Sequence, residues 1–173
     1  MSFIEALESR QLLSAVPAPL VGAPAASKGQ GNGSISVRGR ELMIKGTKNA
    51  DVITVAVNAT DVTKLDVTLN GTTKTLSTFG KRSKAIKKIK VDAKAGDDIV
   101  TVDAAVLLPA HLIGGSGNDA LTGGGGKDKL IGGAGVNVLT GGARADKFVA
   151  GTPAEVTDLQ LDDKLELATE EDD

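Results

Sequence analysis

Four glycine-rich nonapeptides follow one another without a gap from Gly114 to Val149: GGSGNDALT, GGGGKDKLI, GGAGVNVLT and GGARADKFV. Positions 1, 2 and 4 are glycine, position 6 is aspartate and position 8 is a large apolar residue. These five positions match in 18 of 20 cases, and the exceptions are Arg144 at position 4 and Asn137 at position 6. A flexible linker has no reason to keep such a register, so the nonapeptide period predicts a solenoid.

Each repeat predicts a loop followed by a very short strand. Glycine tolerates positive φ and lets backbone carbonyls approach a ligand closely. The last three residues of each repeat are long enough only for a short strand, and the middle side chain of that strand points to one face. Stacking would gather these side chains into a narrow core between two walls of strands: Leu121, Leu130, Leu139 and Phe148. With 22 glycines, three Phe and no Trp or Tyr in 173 residues, a thin-cored solenoid is favoured over a globular fold with an aromatic core.

The loops also offer the ligands that a hard cation prefers. Calcium takes about six to eight oxygen atoms from carboxylates and backbone carbonyls. Three glycines followed by an aspartate supply several carbonyls and one charged oxygen donor. Stacked loops would bring carboxylates together, and these would repel each other without a cation between them.

The nonapeptides resemble the RTX (haemolysin-type) calcium-binding repeat, GGxGxDxUx with U a large apolar residue. The resemblance implies an all-β protein: a strand-rich N-terminal part that continues into a parallel β-roll, a right-handed β-solenoid with a C-terminal cap. It implies two repeats per coil, with Ca²⁺ held between loops that are two nonapeptides apart in sequence. Loop 114–119 would then stack on 132–137, and loop 123–128 on 141–146.

The resemblance also implies a set of metal-binding residues and a small number of ions. Asp119 would flank one ion with Asn137, Asp128 another with Asp146, and Asp98 a third with Asp119. Because Asn137 lacks a charge and Arg144 replaces a glycine, we expect two or three ions rather than four. The complete predicted set is Asp98, Gly114, Gly115, Gly117, Asp119, Gly123, Gly124, Gly126, Asp128, Gly132, Gly133, Gly135, Asn137, Gly141 and Asp146.

The solenoid is predicted to extend beyond the repeats in both directions. Residues 34–113 alternate as strands do, and Asn70-Gly71 is a hairpin signal. Within them, 46–54 and 93–101 are degenerate nonapeptides with an aspartate at the sixth position, and 102–113 would be an irregular rung. Residues 150–173 would form a cap and an acidic tail. The apolar residues predicted to cover the open end are Phe148, Val156, Leu159, Leu161, Leu165 and Leu167.

Residues 1–33 are predicted to be a targeting or disordered leader. Glu8 to Leu13 (ESRQLL) resembles the LEPR-XLL motif at the N-termini of large bacterial surface or exported proteins, with Ser9 in the place of proline. An extracellular or cell-surface location follows from these two resemblances. Cysteine is absent, so metal rather than disulfides would stabilise an exported fold.

Other functions find less support in the sequence. No HExxH, GxSxG or cysteine nucleophile occurs, and we expect no enzyme and a structural role for His111. The net charge of −2 predicts neither a nucleic-acid partner nor a membrane partner, and no apolar run is long enough to span a bilayer. The basic run 81–90 fits either a solvated strand face or a surface for a polyanion such as a cell-surface polysaccharide; a protein partner is also open. The main alternative is a metal-independent structural solenoid or a secretion-carrier segment, because turn aspartates can also bind backbone amides.

Overall fold

The structure, a computed structural model, describes residues 33–78, 85–152 and 155–168. The predicted leader therefore lies outside the described residues, except for Gly33. The secondary structure of the described part consists mainly of β-strands. No helix in these ranges is long and apolar enough to cross a bilayer. The strands are β1 (Ser34–Arg38), β2 (Glu41–Lys45), β3 (Val52–Val57), β4 (Lys64–Leu69), β5 (Thr72–Ser77), β6 (Lys88–Ala95), β7 (Ile99–Val102), β8 (Ala110–Ser116), β9 (Ala120–Thr122), β10 (Lys129–Ala134), β11 (Val138–Thr140), β12 (Lys147–Ala150) and β13 (Lys164–Leu167).

The strands form two sheets that the chain visits alternately. Sheet A has the order β1-β2-β6-β8-β10-β12-β13, and sheet B has the order β11-β9-β7-β3-β4-β5. From β6 onward all pairs within each sheet are parallel, so the all-β parallel solenoid predicted from the sequence is confirmed. The coils are β2 with β3, β6 with β7, β8 with β9, and β10 with β11.

The spacing of the coils agrees with the predicted stacking of the repeats. His111 in β8 lies opposite Lys129 in β10, and Ala120 in β9 lies opposite Val138 in β11; both separations equal two nonapeptides. Ile99 lies opposite Ala120, a longer separation that the irregular rung between β7 and β8 requires. Val52 lies opposite Ile99, and this separation is larger still because β4 and β5 are inserted into that coil.

Antiparallel strands cover the N-terminal end of both sheets. β1 pairs with β2, and the hairpin β4–β5 pairs with β3. Asn70 and Gly71 form the predicted hairpin turn, with φ values of 49° and 78°. Leu69 pairs with Thr72 across it, so the hairpin prediction is confirmed.

The core is one continuous cluster of side chains between the two sheets. Leu121, Leu130, Leu139 and Phe148, the predicted inward residues of the four repeats, are all 0% exposed. Their strand neighbours are more exposed, as the alternation of side chains along a strand requires. The core continues upstream through residues such as Ile53 and Val100, which supports the predicted extension of the stack.

The predicted C-terminal cap is not present in the described residues. Of the side chains predicted to cover the end, Phe148 is buried, and Val156 and Leu165 are partly buried against the core. The prediction is wrong for Leu159, Leu161 and Leu167, which are exposed. The loop that carries Leu159 and Leu161 is bound to the preceding coil through Asp158 and Asp163, and its leucines project away from the core.

We predict that Gly115→Ala lowers the free energy of unfolding far more than Gly39→Ala does, because the coils stack closely at Gly115. Both glycines have positive φ, 116° and 63°. A methyl group on Gly115 would overlap the carbonyl oxygen of Lys94 in the coil below, whereas one on Gly39 would meet nothing within 4 Å. Gly39→Ala should cost about 1–2 kcal/mol from backbone strain alone. Gly115→Ala should cost about 2 kcal/mol or more beyond that, measured by urea unfolding in calcium; equal costs would contradict the stacking.

Candidate metal centre

The sixth position of each repeat falls on one of two edges of the solenoid. Loops that lead from sheet A to sheet B form the A-to-B edge, and loops that return from sheet B to sheet A form the B-to-A edge. Each edge brings side chains from different coils into one stack. On the A-to-B edge these are Asp51, Asp98, Asp119 and Asn137, and on the B-to-A edge Asp128, Asp146 and Asp163.

Neighbouring side chains on the A-to-B edge are connected through the backbone. The backbone N–H of Asp51 donates to Oδ1 of Asp98 at 2.7 Å, and that of Asp98 donates to Oδ1 of Asp119 at 2.9 Å. The N–H of Asp119 donates to Oδ1 of Asn137 at 3.0 Å. Asp98, Asp119 and Asn137 thus each accept a hydrogen bond from the equivalent residue in the coil below.

The B-to-A edge repeats this arrangement. The N–H of Ala110 donates to Oδ1 of Asp128, and the N–H of Asp128 to Oδ1 of Asp146, both at 2.7 Å. The N–H of Asp146 donates to Oδ1 of Asp163 at 2.8 Å. We call these two series the backbone–carboxylate ladders.

The ladders use one oxygen of each carboxylate and leave several second oxygens without a partner. Oδ2 of Asp98, Asp119 and Asp146 is buried and makes no hydrogen bond. Oδ2 of Asp128 differs, because it accepts the N–H of Gly124 at 2.7 Å. An unpaired buried carboxylate oxygen is costly unless a cation or a donor meets it.

Burial disfavours the charged form of these groups. It raises the pKa of Asp98 to about 7, to which the nearby carboxylates of Asp119 and Asp51 contribute. Burial likewise raises the pKa of Asp146 to about 6, and it raises the pKa of Asp119 and Asp128. In all four groups, hydrogen bonds from backbone amides oppose the rise.

The first glycine of a repeat leaves room beside the second carboxylate oxygen, Oδ2, of the aspartate at position 6. A methyl group on Gly114 would overlap Oδ2 of Asp119 and lie 2.6 Å from the carbonyl oxygen of Gly132, one coil further on. On the other edge, a methyl group on Gly123 would lie 2.6 Å from Oδ2 of Asp128 and overlap the carbonyl oxygen of Gly141. Both spaces are bordered by carboxylate and carbonyl oxygens, the donors that calcium prefers.

These residues therefore fit a calcium ion that relies on backbone carbonyls. No group of three or more His, Cys, Asp or Glu side chains in the described ranges could hold a metal by itself. A site here would combine one or two carboxylates with glycine carbonyls of adjacent loops, which is the donor set predicted from the sequence. Register places Ala93 level with Gly114, so the Asp98 loop carries a methyl group where the repeats have none.

Two further acidic residues, not predicted from the sequence, belong to the B-to-A edge. Asp158 accepts the N–H groups of Gly141 and Gly142, both at 2.8 Å. Asp163 accepts the N–H of Asp146 and that of Gln160, both at 2.8 Å. Their loop contains no glycine, and Asp163 follows Asp146 by one position less than two nonapeptides, so a search for the glycine pattern misses it. The acid at position 163, directly before an apolar strand, is the signal that could have found it.

The two exceptions to the repeat pattern occupy regular positions. Arg144 has a φ of 77°, in the left-handed region that Gly117 and Gly135 adopt at the same repeat position. Its side chain is exposed and takes part in none of the ion pairs found among the described residues. Asn137 keeps its place in the ladder, and its Nδ2 donates to the carbonyl of Gly133 at 3.3 Å.

The fold and the loops define a parallel β-solenoid with two edges that are lined by oxygen atoms. Residues 113–148 match the family model of the RTX calcium-binding nonapeptide repeat, in four copies. RTX nonapeptide repeats bind calcium, so Ca²⁺ is the ion of this array, and the segment is a calcium-binding β-roll. No curated protein and no solved structure matches the chain.

We predict that the calcium-free protein loses stability as the pH rises from about 4 to about 7. An acid whose pKa is raised in the folded state favours folding below its unfolded pKa and loses that contribution as the pH passes its folded pKa. For Asp98 this window runs from its ordinary pKa of 3.8 to about 7, and for Asp146 to about 6. Urea unfolding in chelator at several pH values measures the loss.

Asp98→Asn should reduce that pH dependence and stabilise the calcium-free protein at pH 8, since an uncharged amide replaces the buried carboxylate. Asp61→Asn is the control, because Asp61 lies at the surface and its pKa is lowered to about 2, chiefly by Lys64. A pH dependence that is unchanged in Asp98→Asn would contradict the prediction.

Proposed function

We propose that this protein is an exported module, located at the cell surface or outside the cell, whose repeats fold on binding Ca²⁺. Its role there is structural or adhesive. The single observation that carries the proposal is the set of buried carboxylate oxygens without partners, on Asp98, Asp119 and Asp146. Oδ2 of Asp119 lies beside the first glycine of its repeat, Gly114, and Oδ2 of Asp146 beside Gly141.

The proposed ions lie between loops of successive coils. One ion is shared by Asp119 and Asn137, a second by Asp128 and Asp146, and a third by Asp98 and Asp119. Glycine carbonyls complete their shells, foremost those of Gly114, Gly123, Gly132 and Gly141. The free Oδ2 atoms of Asp98, Asp119 and Asp146 and the room at Gly114 and Gly123 support this assignment.

Calcium-dependent folding gives the module a reason to be exported. Where calcium is scarce, the buried carboxylates of the loops oppose stacking of the coils. Where it is abundant, the free energy of ion binding becomes free energy of folding. Extracellular calcium modules work at about 10⁻⁴–10⁻³ M, and we assign this array to that range.

The proposal divides the chain into four parts. These are a leader at 1–33, a strand-rich solenoid with degenerate repeats at 34–113, the calcium β-roll at 114–149, and a closing segment with an acidic tail at 150–173. The continuous core from β2 to β12 supports treating the second and third parts as one folding unit.

A second candidate function rests on the backbone–carboxylate ladders. These hydrogen bonds need no metal, and Asn137 shows that a neutral side chain can make them. A structural solenoid or secretion-carrier segment that no longer needs calcium would keep the ladders and lose only the role of the free Oδ2 atoms.

We predict that calcium raises the melting temperature of the wild type and that Asp119→Asn weakens this response. The substitution can retain the hydrogen bond from the N–H of Asp98, as Asn137 does from Asp119, but removes the charge. A tenfold excess over Kd stabilises by about 1.4 kcal/mol per ion. Far-UV circular dichroism in calcium and in chelator measures the melting, and equilibrium dialysis counts the ions.

Asp97→Asn is the matched control. Asp97 is exposed, and its Oδ1 accepts the N–H of Asn118 at 2.8 Å, outside the buried ladder. Asn137→Asp is the complementary variant and should tighten calcium binding, because it restores the charge at position 6. A wild-type melting temperature that calcium leaves unchanged would favour the metal-independent alternative.

We predict that the protein is accessible from outside its source cell. An antibody against residues 34–168 should label intact cells or detect the protein in the medium, since the calcium-dependent fold needs an environment rich in calcium. A cytoplasmic protein probed in the same samples controls for lysis. Detection in lysed cells alone would refute export and leave calcium binding untouched.

A further inference from the structure

The outer face of sheet A carries a continuous column of basic side chains. Strand register places one basic residue of β6 opposite one of β8, and so on through β10, β12 and β13. All alternate with inward-facing core residues, so their side chains leave the sheet on the outer face. The basic column consists of Lys90, His111, Lys129, Lys147 and Lys164.

This arrangement works against the stability of the sheet itself. Neighbouring strands lie about 4.8 Å apart, and like charges placed directly opposite each other destabilise a sheet. The pKa of His111 is lowered by its burial and then by Lys129, Lys88 and Lys90. The column thus disfavours the charged form of its histidine and gathers four lysines where alternating charges would favour folding.

Ion pairs neutralise only one end of the basic column, although Asp92 shares the outer face with Lys90 at the other end. Glu166 lies 2.9 Å from both Lys147 and Lys164. Lys90 and Lys129 take part in none of the ion pairs found in the described ranges. Lys129 in the middle of the basic column and Lys90 at its β6 end therefore remain available to an anion from solution.

An apolar column runs beside the basic one. Ile113, Ile131 and Val149 lie opposite one another on β8, β10 and β12, and each is half-buried on the outer face. Sheet B provides an internal contrast, because its corresponding outer column is uncharged and consists of Thr54, Thr101, Thr122 and Thr140. The pairing of a cationic with an apolar column is thus specific to sheet A.

We propose that the outer face of sheet A binds a linear acidic polysaccharide that runs across the strands along the basic column. One sugar unit of such a chain is about as long as the spacing between strands, so carboxylates two sugars apart can meet Lys90 and Lys129, which lie two strands apart. The C–H faces of the sugar rings pack on the apolar column. This partner deepens the surface role proposed above and rests on it.

The chemistry of the face favours a polysaccharide over other polyanions. Single-stranded nucleic acids are held by aromatic side chains that stack on bases, whereas this chain has no Trp or Tyr, and Phe148 is buried. The calcium loops lie on the edges of the solenoid and do not overlap the basic column.

The test measures binding of a fluorescently labelled decamer of galacturonic acid to the calcium-loaded full chain by anisotropy. Lys90→Gln with Lys129→Gln should weaken binding at least tenfold, and higher salt should weaken wild-type binding. Lys48→Gln with Lys74→Gln is the matched control: it removes the same charge from exposed positions away from the basic column and should change Kd less than twofold. The methyl-esterified decamer, which has the same backbone without charge, should not bind.

Lys90→Gln and Lys129→Gln relieve the repulsion between cations of the basic column. The double variant should therefore have a melting temperature equal to or above that of the wild type. Loss of binding with intact melting therefore supports the proposal. Equal loss in the control pair, undiminished binding by the Lys90 and Lys129 variant, or binding of the esterified decamer overturns it. Tighter binding of a single-stranded DNA oligomer or of phosphatidylglycerol vesicles through the same lysines also overturns it. If calcium still raises the melting temperature while the decamer fails to bind, the polysaccharide inference fails and calcium-dependent folding stands.

Discussion

The structure depends on a hydrogen bond between a backbone amide and a side-chain oxygen one coil away. Strand pairing joins the coils along the two sheets, but the turns at the edges have no ladder of strands to hold them. The backbone–carboxylate ladders fill this role at 2.7–3.0 Å from Asp51 to Asn137 and from Ala110 to Asp163. They also bury the acids. A residue that fixes the turn is thereby held in a place where its charge is unfavourable without a cation, and calcium sensitivity follows from the same contact that builds the fold.

Much of the fold could be predicted because the repeat is short and strict. An apolar residue that recurs once in every nonapeptide predicts that this position is buried in every repeat. The four residues at this position are indeed buried: Leu121, Leu130, Leu139 and Phe148. The degenerate turns at Asp51 and Asp98 were also predictable, because an acid directly before an apolar strand is the part of the motif that the ladder requires. The longer sequence separation between the paired residues Ile99 and Ala120 follows from the length of the segment between β7 and β8.

Other features depend on register between coils of unequal length, which no local pattern reveals. Asp163 joins the ladder from a loop without glycine, out of phase with the nonapeptide period. The basic column combines residues at unequal intervals along the chain, so the sequence shows only unrelated single lysines and one histidine. Leu159 and Leu161 differ from the prediction for another reason: hydrophobicity predicts their burial, yet both are exposed in a loop that hydrogen bonds attach to the preceding coil.

The unequal coil lengths have a consequence for how such a molecule can change. Strands β3 and β7 keep the same parallel pairing although a long stretch of chain separates them, because the hairpin β4–β5 is accommodated where the chain returns from sheet B to sheet A. The strand register between two coils therefore does not depend on the number of residues inserted where the chain returns from sheet B to sheet A. Gene duplication can lengthen the solenoid in whole coils, and insertions on the return side can add new surface, while the pattern that specifies the next coil remains intact.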